Sequence, residues 1–262
     1  MKFPDDFINR VICGDCLKVM PHIPDKSIDM ILCDLPYGTT ACKWDTIIPF
    51  EQLWKEYRRI IKDNGVMVLF GKEPFSSYLR ISNIEDYKYD IIWQKDRLTN
   101  IFTVKYRFGD VHENISIFYK KQCTYNPQKV EGWIANNRKN CIKRIKLSKG
   151  NITETMGSKY SPANMYNRLV NPISVIKIIR EISHKTKRLH PTQKPVALFE
   201  YLIKTYTNEG DIVLDNCAGS GTTGVACENL KRKCILIEKE EKYCMMTVDR
   251  MRALRQKNLK FT

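Results

Sequence analysis

The sequence is short of acid. It sets 29 Asp and Glu against 44 Lys and Arg, a formal net charge of +15. An excess of that size says nothing about fold, but it speaks for a polyanionic partner. Long apolar runs are missing too. None approaches the roughly 20 residues of a membrane-spanning helix. The start, Met1-Lys2-Phe3-Pro4-Asp5-Asp6, carries no apolar signal region. No membrane partner is therefore expected. Histidine is scarce, with four residues scattered at 22, 112, 184 and 190. Of ten cysteines, one CxxC stands out, Cys13-Gly14-Asp15-Cys16, without a second pair or nearby histidines to complete a zinc site. The expectation is no metal, and free thiols in a reducing cytoplasm.

What is present is a foldable chain. With 262 residues, 43% of them hydrophobic, it can bury one sizeable core. Strand-like and helix-like patterns alternate. Strands are expected at 10–13, 28–33, 66–70, 89–93 and 115–119. Helical spacing falls at 16–23, 50–61 and 74–81. After a break the rhythm returns, with helices at 195–206, 222–230 and 240–254 and strands at 212–214 and 234–237. Such alternation predicts an α/β fold, a parallel sheet with covering helices. The break, residues 122–189, loses all period. Between Lys120 and His190 stand 16 Lys and Arg against 3 acids, a net of +13. Nearly the whole excess sits in that quarter of the chain. It interleaves cations with Tyr125, Trp133, Tyr160 and Tyr166, and Gln128, Asn136 and Asn137 could read base edges. The segment reads as a basic nucleic-acid-binding insert, with Lys143, Arg144, Lys146 and Arg168 as candidate DNA contacts.

Two motifs carry chemistry. Ile212-Val213-Leu214-Asp215 runs into Asn216-Cys217-Ala218-Gly219-Ser220-Gly221-Thr222-Thr223-Gly224. A strand, an acid and a glycine turn opening a helix bring backbone N–H groups close to a ligand. Glu238 ends the next strand, where a carboxylate accepts hydrogen bonds from ribose hydroxyls. Alone, this pattern means a nucleoside cofactor and does not separate NAD from S-adenosylmethionine. The second motif is Asp34-Leu35-Pro36-Tyr37-Gly38, directly after a buried strand. The Asp34 carboxylate and the Leu35 carbonyl are two acceptors for one amino group. Pro36 stiffens the turn and Tyr37 offers a face for a base.

Asp34 to Tyr37 resembles the Asp/Asn/Ser-Pro-Pro-Tyr/Phe motif of amino-group DNA methyltransferases. Asp215 to Gly224 is similar to their S-adenosylmethionine loop. His190-Pro191-Thr192-Gln193-Lys194-Pro195, the Gly14-Asp15-Cys16 block and His112-Glu113-Asn114-Ile115 match further blocks, in the β arrangement of that family. Leu35 stands for the usual first proline and keeps the carbonyl. Asn216-Cys217 stand for the usual Pro-Phe, which puts an aromatic cofactor contact in question.

The resemblance implies a Rossmann-like class I S-adenosylmethionine-dependent methyltransferase sheet with helices on both faces. Residues 1–121 and 190–262 would form the catalytic domain, and 122–189 the target-recognition insert. It implies catalytic roles for Asp34, Leu35, Pro36 and Tyr37. Asp15, Cys16, Asp34, Thr192, Gln193, Lys194, Asp215, Cys217, Gly219, Gly221, Thr222 and Glu238 would hold the cofactor. Asp15 would meet its adenine, Glu238 its ribose, and Asp215, Gly219, Gly221 and Thr222 its methionine end. Thr192, Gln193 and Lys194 would close the carboxylate side. The expected reaction is methylation of adenine N6 in duplex DNA after base flipping. N4-cytosine methylation is the near alternative, and an NAD oxidoreductase or a non-catalytic DNA-binding protein the distant ones. Expected partners are DNA, with a homodimer and a cognate restriction enzyme left open, in a bacterial or phage-infected cytoplasm.

Overall fold

The computed structural model describes residues 1–40, 42, 45–131, 169–179 and 193–259. Residues 1–126 and 174–262 form one unit and 127–173 another. Every strand and helix expected outside the break is present, with ends shifted by a few residues.

In the first unit, β1 (Arg10–Cys13) leads to α1 (Cys16–Val19) and β2 (Ile28–Cys33). Then come α2 (Phe50–Ile60), β3 (Ile61–Gly71), α3 (Phe75–Ile81), β4 (Tyr87–Gln94) and β5 (His112–Phe118). The second unit pairs β6 (Val130–Glu131) antiparallel with β7 (Leu169–Val170). The first unit resumes with β8 (Val175–Lys177), α4 (Val196–Tyr206), β9 (Ile212–Asp215), α5 (Thr222–Asn229), β10 (Lys233–Glu238) and α6 (Glu241–Leu259).

Eight strands form one sheet in the order β1-β10-β9-β2-β3-β5-β4-β8. Period-two alternation explains its two buried faces. Ile31, Cys33, Met67, Leu69, Leu214, Ile235 and Ile237 point one way, onto Leu53, Trp54 and Tyr57 of α2 and Phe75 of α3. Met30, Leu32, Val66, Val68, Phe70, Val213 and Leu236 point the other way, onto Leu198, Phe199 and Leu202 of α4 and Ala226 of α5.

The sheet is mixed rather than parallel throughout. β5 runs antiparallel to both β3 and β4. The reason lies in the connection: no crossover helix joins β4 to β5, and a strand that returns without one must pair antiparallel. The break also contributes to the sheet unit. Within the range 122–189, residues 122–126 and 174–179 belong to the sheet unit, and β8 pairs parallel with β4. Ile176 enters the core, and the Trp93 indole N–H donates to the Ile178 carbonyl at 3.0 Å. Three residues are too few to show a strand period.

Crossovers from β2 lead toward β3, whereas those from β9 lead toward β10 and away from it. β2 and β9 lie side by side and parallel, with Ile31 opposite Leu214. They flank the switch point of the sheet, where open α/β sheets bind ligands beyond the carboxyl ends of their strands.

Candidate active site

Because β2 and β9 end together, the turn after each opens on the same edge. A cavity of about 460 Å³ lies there, lined by Asp34, Leu35, Pro36 and Tyr37 from one turn and Asp215, Cys217, Gly219 and Thr222 from the other. Asp15, Cys16, Gln193, Lys194 and Glu238 complete the expected set along its walls. Gly221 stands behind the wall as the N-cap of α5. Its φ is +75°, and a Cβ there would sit 2.4 Å from Thr247 Cγ2. Thr192, Lys143, Arg144, Lys146 and Arg168 lie outside the described residues.

The glycine turn is braced from below. Asp215 Oδ1 accepts from the Cys217 N–H at 3.1 Å, and Oδ2 accepts from the Thr223 hydroxyl. Burial pushes the Asp215 carboxyl up to about 7 against those two bonds. Glu238 accepts the Gly219 N–H at 2.7 Å and the Glu240 N–H at 2.9 Å, and burial raises it above the usual range. Asp15 caps α1, taking the Leu17 N–H at 2.9 Å. Asn216, the first residue of the Asn216-Cys217 pair that replaces Pro-Phe, accepts from the Tyr57 hydroxyl at 2.5 Å. Cys33 is a buried thiol pushed up to about 12 by its burial, an inert packing group.

The other turn is held by charge. Asp34 Oδ1 accepts from the Tyr37 hydroxyl at 2.6 Å, and Oδ2 from the Lys194 ammonium at 2.5 Å. Lys194 also meets Glu113 at 3.2 Å, and Glu113 is paired to Lys95. The ammonium of Lys194 thus lies on the Asp34–Tyr37 turn. Burial would strip its proton, but Asp34 and Glu113 raise its pKa above the ordinary lysine value. Burial would likewise raise Glu113, and Lys194 and Lys95 bring it below its usual range. Phe75 backs the Tyr37 ring at 5.1 Å between centroids. Downstream, Asp45 ties the turn down, accepting from the N–H groups of Gly38, Thr39 and Thr40 at 2.7–2.9 Å.

Lys95, Glu113 and Asp45 were not foreseen as site residues. Glu113 had a signal, since it belongs to the His-Glu block, but its lysine partners are remote in sequence. Asp45 had none, being one acid in an irregular loop. Among the described residues no cluster of His, Cys, Asp and Glu is arranged to hold a metal. No helix among them is long and apolar enough to cross a membrane.

An eight-stranded Rossmann-like sheet with these two turns at its switch point defines a nucleoside-cofactor enzyme acting on an amino group. The sequence profile of the DNA methylase family, amino-group N6/N4 type, matches residues 28–249, and the chain belongs to that family. Among curated relatives, the type II methyltransferase M.HpaI of Haemophilus parainfluenzae is 29% identical over 259 residues, covering 92% of this chain and 74% of that protein. M.HinfI of Haemophilus influenzae is 26% identical over 282 residues, covering 96% and 70%. Among solved structures, the M1.HpyAVI–SAM complex is similar with a TM-score of 0.60 and 26% identity, over 92% of this chain and 98% of that one. The cytosine-N4-specific PvuII DNA methyltransferase shares the fold, with a TM-score of 0.62 at 16% identity over 95% and 92%.

Proposed function

We propose that the chain transfers a methyl group from S-adenosylmethionine to the exocyclic N6 of adenine in duplex DNA, within the cytoplasm. The observation that carries this is the shared cavity: Asp34 and the glycine turn open into one space.

The cavity suits the cofactor on several counts. Its volume falls within the range of small-ligand pockets, about 300–1,000 Å³. Gly219 has φ +52° and nothing within 4 Å of where its Cβ would stand, so the turn leaves open space. Gln193 Oε1 is buried on the wall with no hydrogen-bond partner among the described residues, an acceptor awaiting a donor. Asp15 and Glu238 supply carboxylates for the nucleoside, and Asp215, Thr222 and the 219–221 backbone take the methionine end. When bound, the cofactor supplies an activated methyl on a sulfonium.

The residues of the chain do the rest. An aromatic amine is a poor nucleophile because its lone pair is delocalised into the ring. Asp34 and the Leu35 carbonyl accept its two hydrogens, favouring a pyramidal nitrogen, and the carboxylate stabilises the positive charge that develops. Lys194 and the Tyr37 hydroxyl hold Asp34 in place, and Pro36 holds the peptide. A base must leave the duplex to reach this turn, and the backed Tyr37 ring receives it. The basic segment 122–189, through Lys143, Arg144, Lys146 and Arg168, takes the phosphates and reads the site. Adenine is favoured by resemblance, since Ser at position 34 more often accompanies N4-cytosine.

Modification-sensitive sequencing of DNA from cells expressing the protein tests this. Methylated adenine at one short recurring sequence is expected. Methylated cytosine there would overturn the choice of base, and unmodified DNA the enzyme reading.

A further inference from the structure

The loop between β4 and β5 leaves the sheet at the same edge as Asp34 and the glycine turn, because β5 runs back antiparallel. Lys95 and Thr99, at its root, line the cavity. The loop is braced from within. The N–H and hydroxyl of Thr99 both donate to the Asp110 carbonyl at 3.0 Å. Asn100 accepts the Asp110 N–H at 2.6 Å and donates to the Phe108 carbonyl at 3.2 Å. Leu98 seals the neck over Gly109, where a Cβ would fall 2.3 Å from its Cδ2.

Yet this shaped loop turns its rings outward. Phe102 is 95% exposed, Tyr106 87% and Phe108 98%. Residues 97–109 hold Arg97, Lys105 and Arg107 and no acid. Arg97 leans on Asp96 at 3.6 Å. Among the described residues, no carboxylate lies within ion-pair distance of Lys105 or Arg107, and the Arg107 guanidinium donates to Thr103. Exposed aromatic rings interleaved with uncompensated cations match nucleic acid: bases for the rings, phosphates for the charges.

We propose that residues 97–109 form a second DNA-contacting arm, distinct from the 122–189 segment, in which Phe102, Tyr106 and Phe108 stack on bases beside the cavity mouth while Lys105 and Arg107 hold phosphates. This rests on the DNA methyltransferase reading. The arm places unstacking rings where the target base must leave the helix.

The test uses a fluorescent mixed-sequence duplex titrated at several salt concentrations, with tritiated methyl transfer in parallel. K105Q/R107Q lowers the slope of log affinity against log salt by about 2, near 0.9 per phosphate contact. F102A/Y106A/F108A leaves the slope in place and weakens binding about tenfold or more, through lost stacking. Both variants keep the melting temperature of the wild type, since all five side chains lie on the surface. If both bind and methylate like the wild type, the arm is wrong and the enzyme reading stands. If the ring variant converts a wild-type dimer to monomer at unchanged DNA affinity, the patch joins two copies of the chain and the proposal falls. A wild-type protein that neither binds nor methylates duplex DNA overturns the underlying reading and the arm with it.

Discussion

The cavity and the 97–109 loop handle charge in opposite ways. In the cavity, Lys95, Glu113, Lys194 and Asp34 are paired in a row, two cations to two carboxylates, with side chains between 7% and 25% exposed. In the loop, Lys105 and Arg107 find no carboxylate among the described residues, and the rings of Phe102, Tyr106 and Phe108 beside them are exposed. Buried charge must be compensated at home, because desolvation of an unpaired ion costs several kcal/mol. Surface charge left uncompensated keeps its attraction for a partner, screened only by salt. Under the proposed function, the contrast separates residues that would position the chemistry from residues that would hold the substrate.

It can be broken at either end. The largest effect belongs to Asp34→Ala, which should cut methyl transfer by about 10³-fold while leaving cofactor affinity near that of the wild type. Transfer assays beside calorimetric titration with S-adenosylmethionine check this, and an active variant would remove Asp34 from the chemistry. Next comes Glu113→Gln, which leaves Lys95 and Lys194 short of a carboxylate and should cost about 3 kcal/mol in urea unfolding. An unchanged midpoint would mean that the row of charges is not held as a unit. Gly221→Ala forces a side chain into a left-handed backbone against Thr247 and should cost about 1–3 kcal/mol, read as a lower midpoint and weaker cofactor binding.

The last effect is on pH dependence. Asp215 titrates near 7 when folded, against about 3.9 in an unfolded chain. Its folded pKa is raised, so its contribution is full below about 4 and is lost as pH rises through about 7. Glu238 shifts in the same direction. The melting temperature should therefore fall between about pH 4 and 7, and Asp215→Asn should flatten that fall. A slope identical in the variant would locate the titration elsewhere.

Much of this site was readable beforehand because backbone geometry demanded it. A glycine turn after Asp215, and an acid, proline and tyrosine after Cys33, announce strand ends at which the chain must turn and a ligand can approach. Two such turns share a pocket once their strands are neighbours. Pairings made by side chains alone were not readable. Nothing in the His-Glu block says that Glu113 meets Lys194, and nothing around Asp45 says that it ties down three N–H groups. The direction of β5 followed from a missing helix rather than from its own apolar residues. The loop rings were hidden for a different reason. Leu98, Ile101, Phe102 and Val104 resemble core in composition, and composition cannot tell a ring that packs from one that projects.

The most direct measurement follows the methyl group itself. Purified protein is incubated with S-adenosylmethionine labelled in the methyl and with mixed-sequence duplex DNA, and the DNA is digested to nucleosides. Label co-migrating with N6-methyldeoxyadenosine is the result expected from two acceptors at Asp34 and Leu35 facing an extruded adenine. Label in N4-methyldeoxycytidine, or none in the DNA at all, would contradict it.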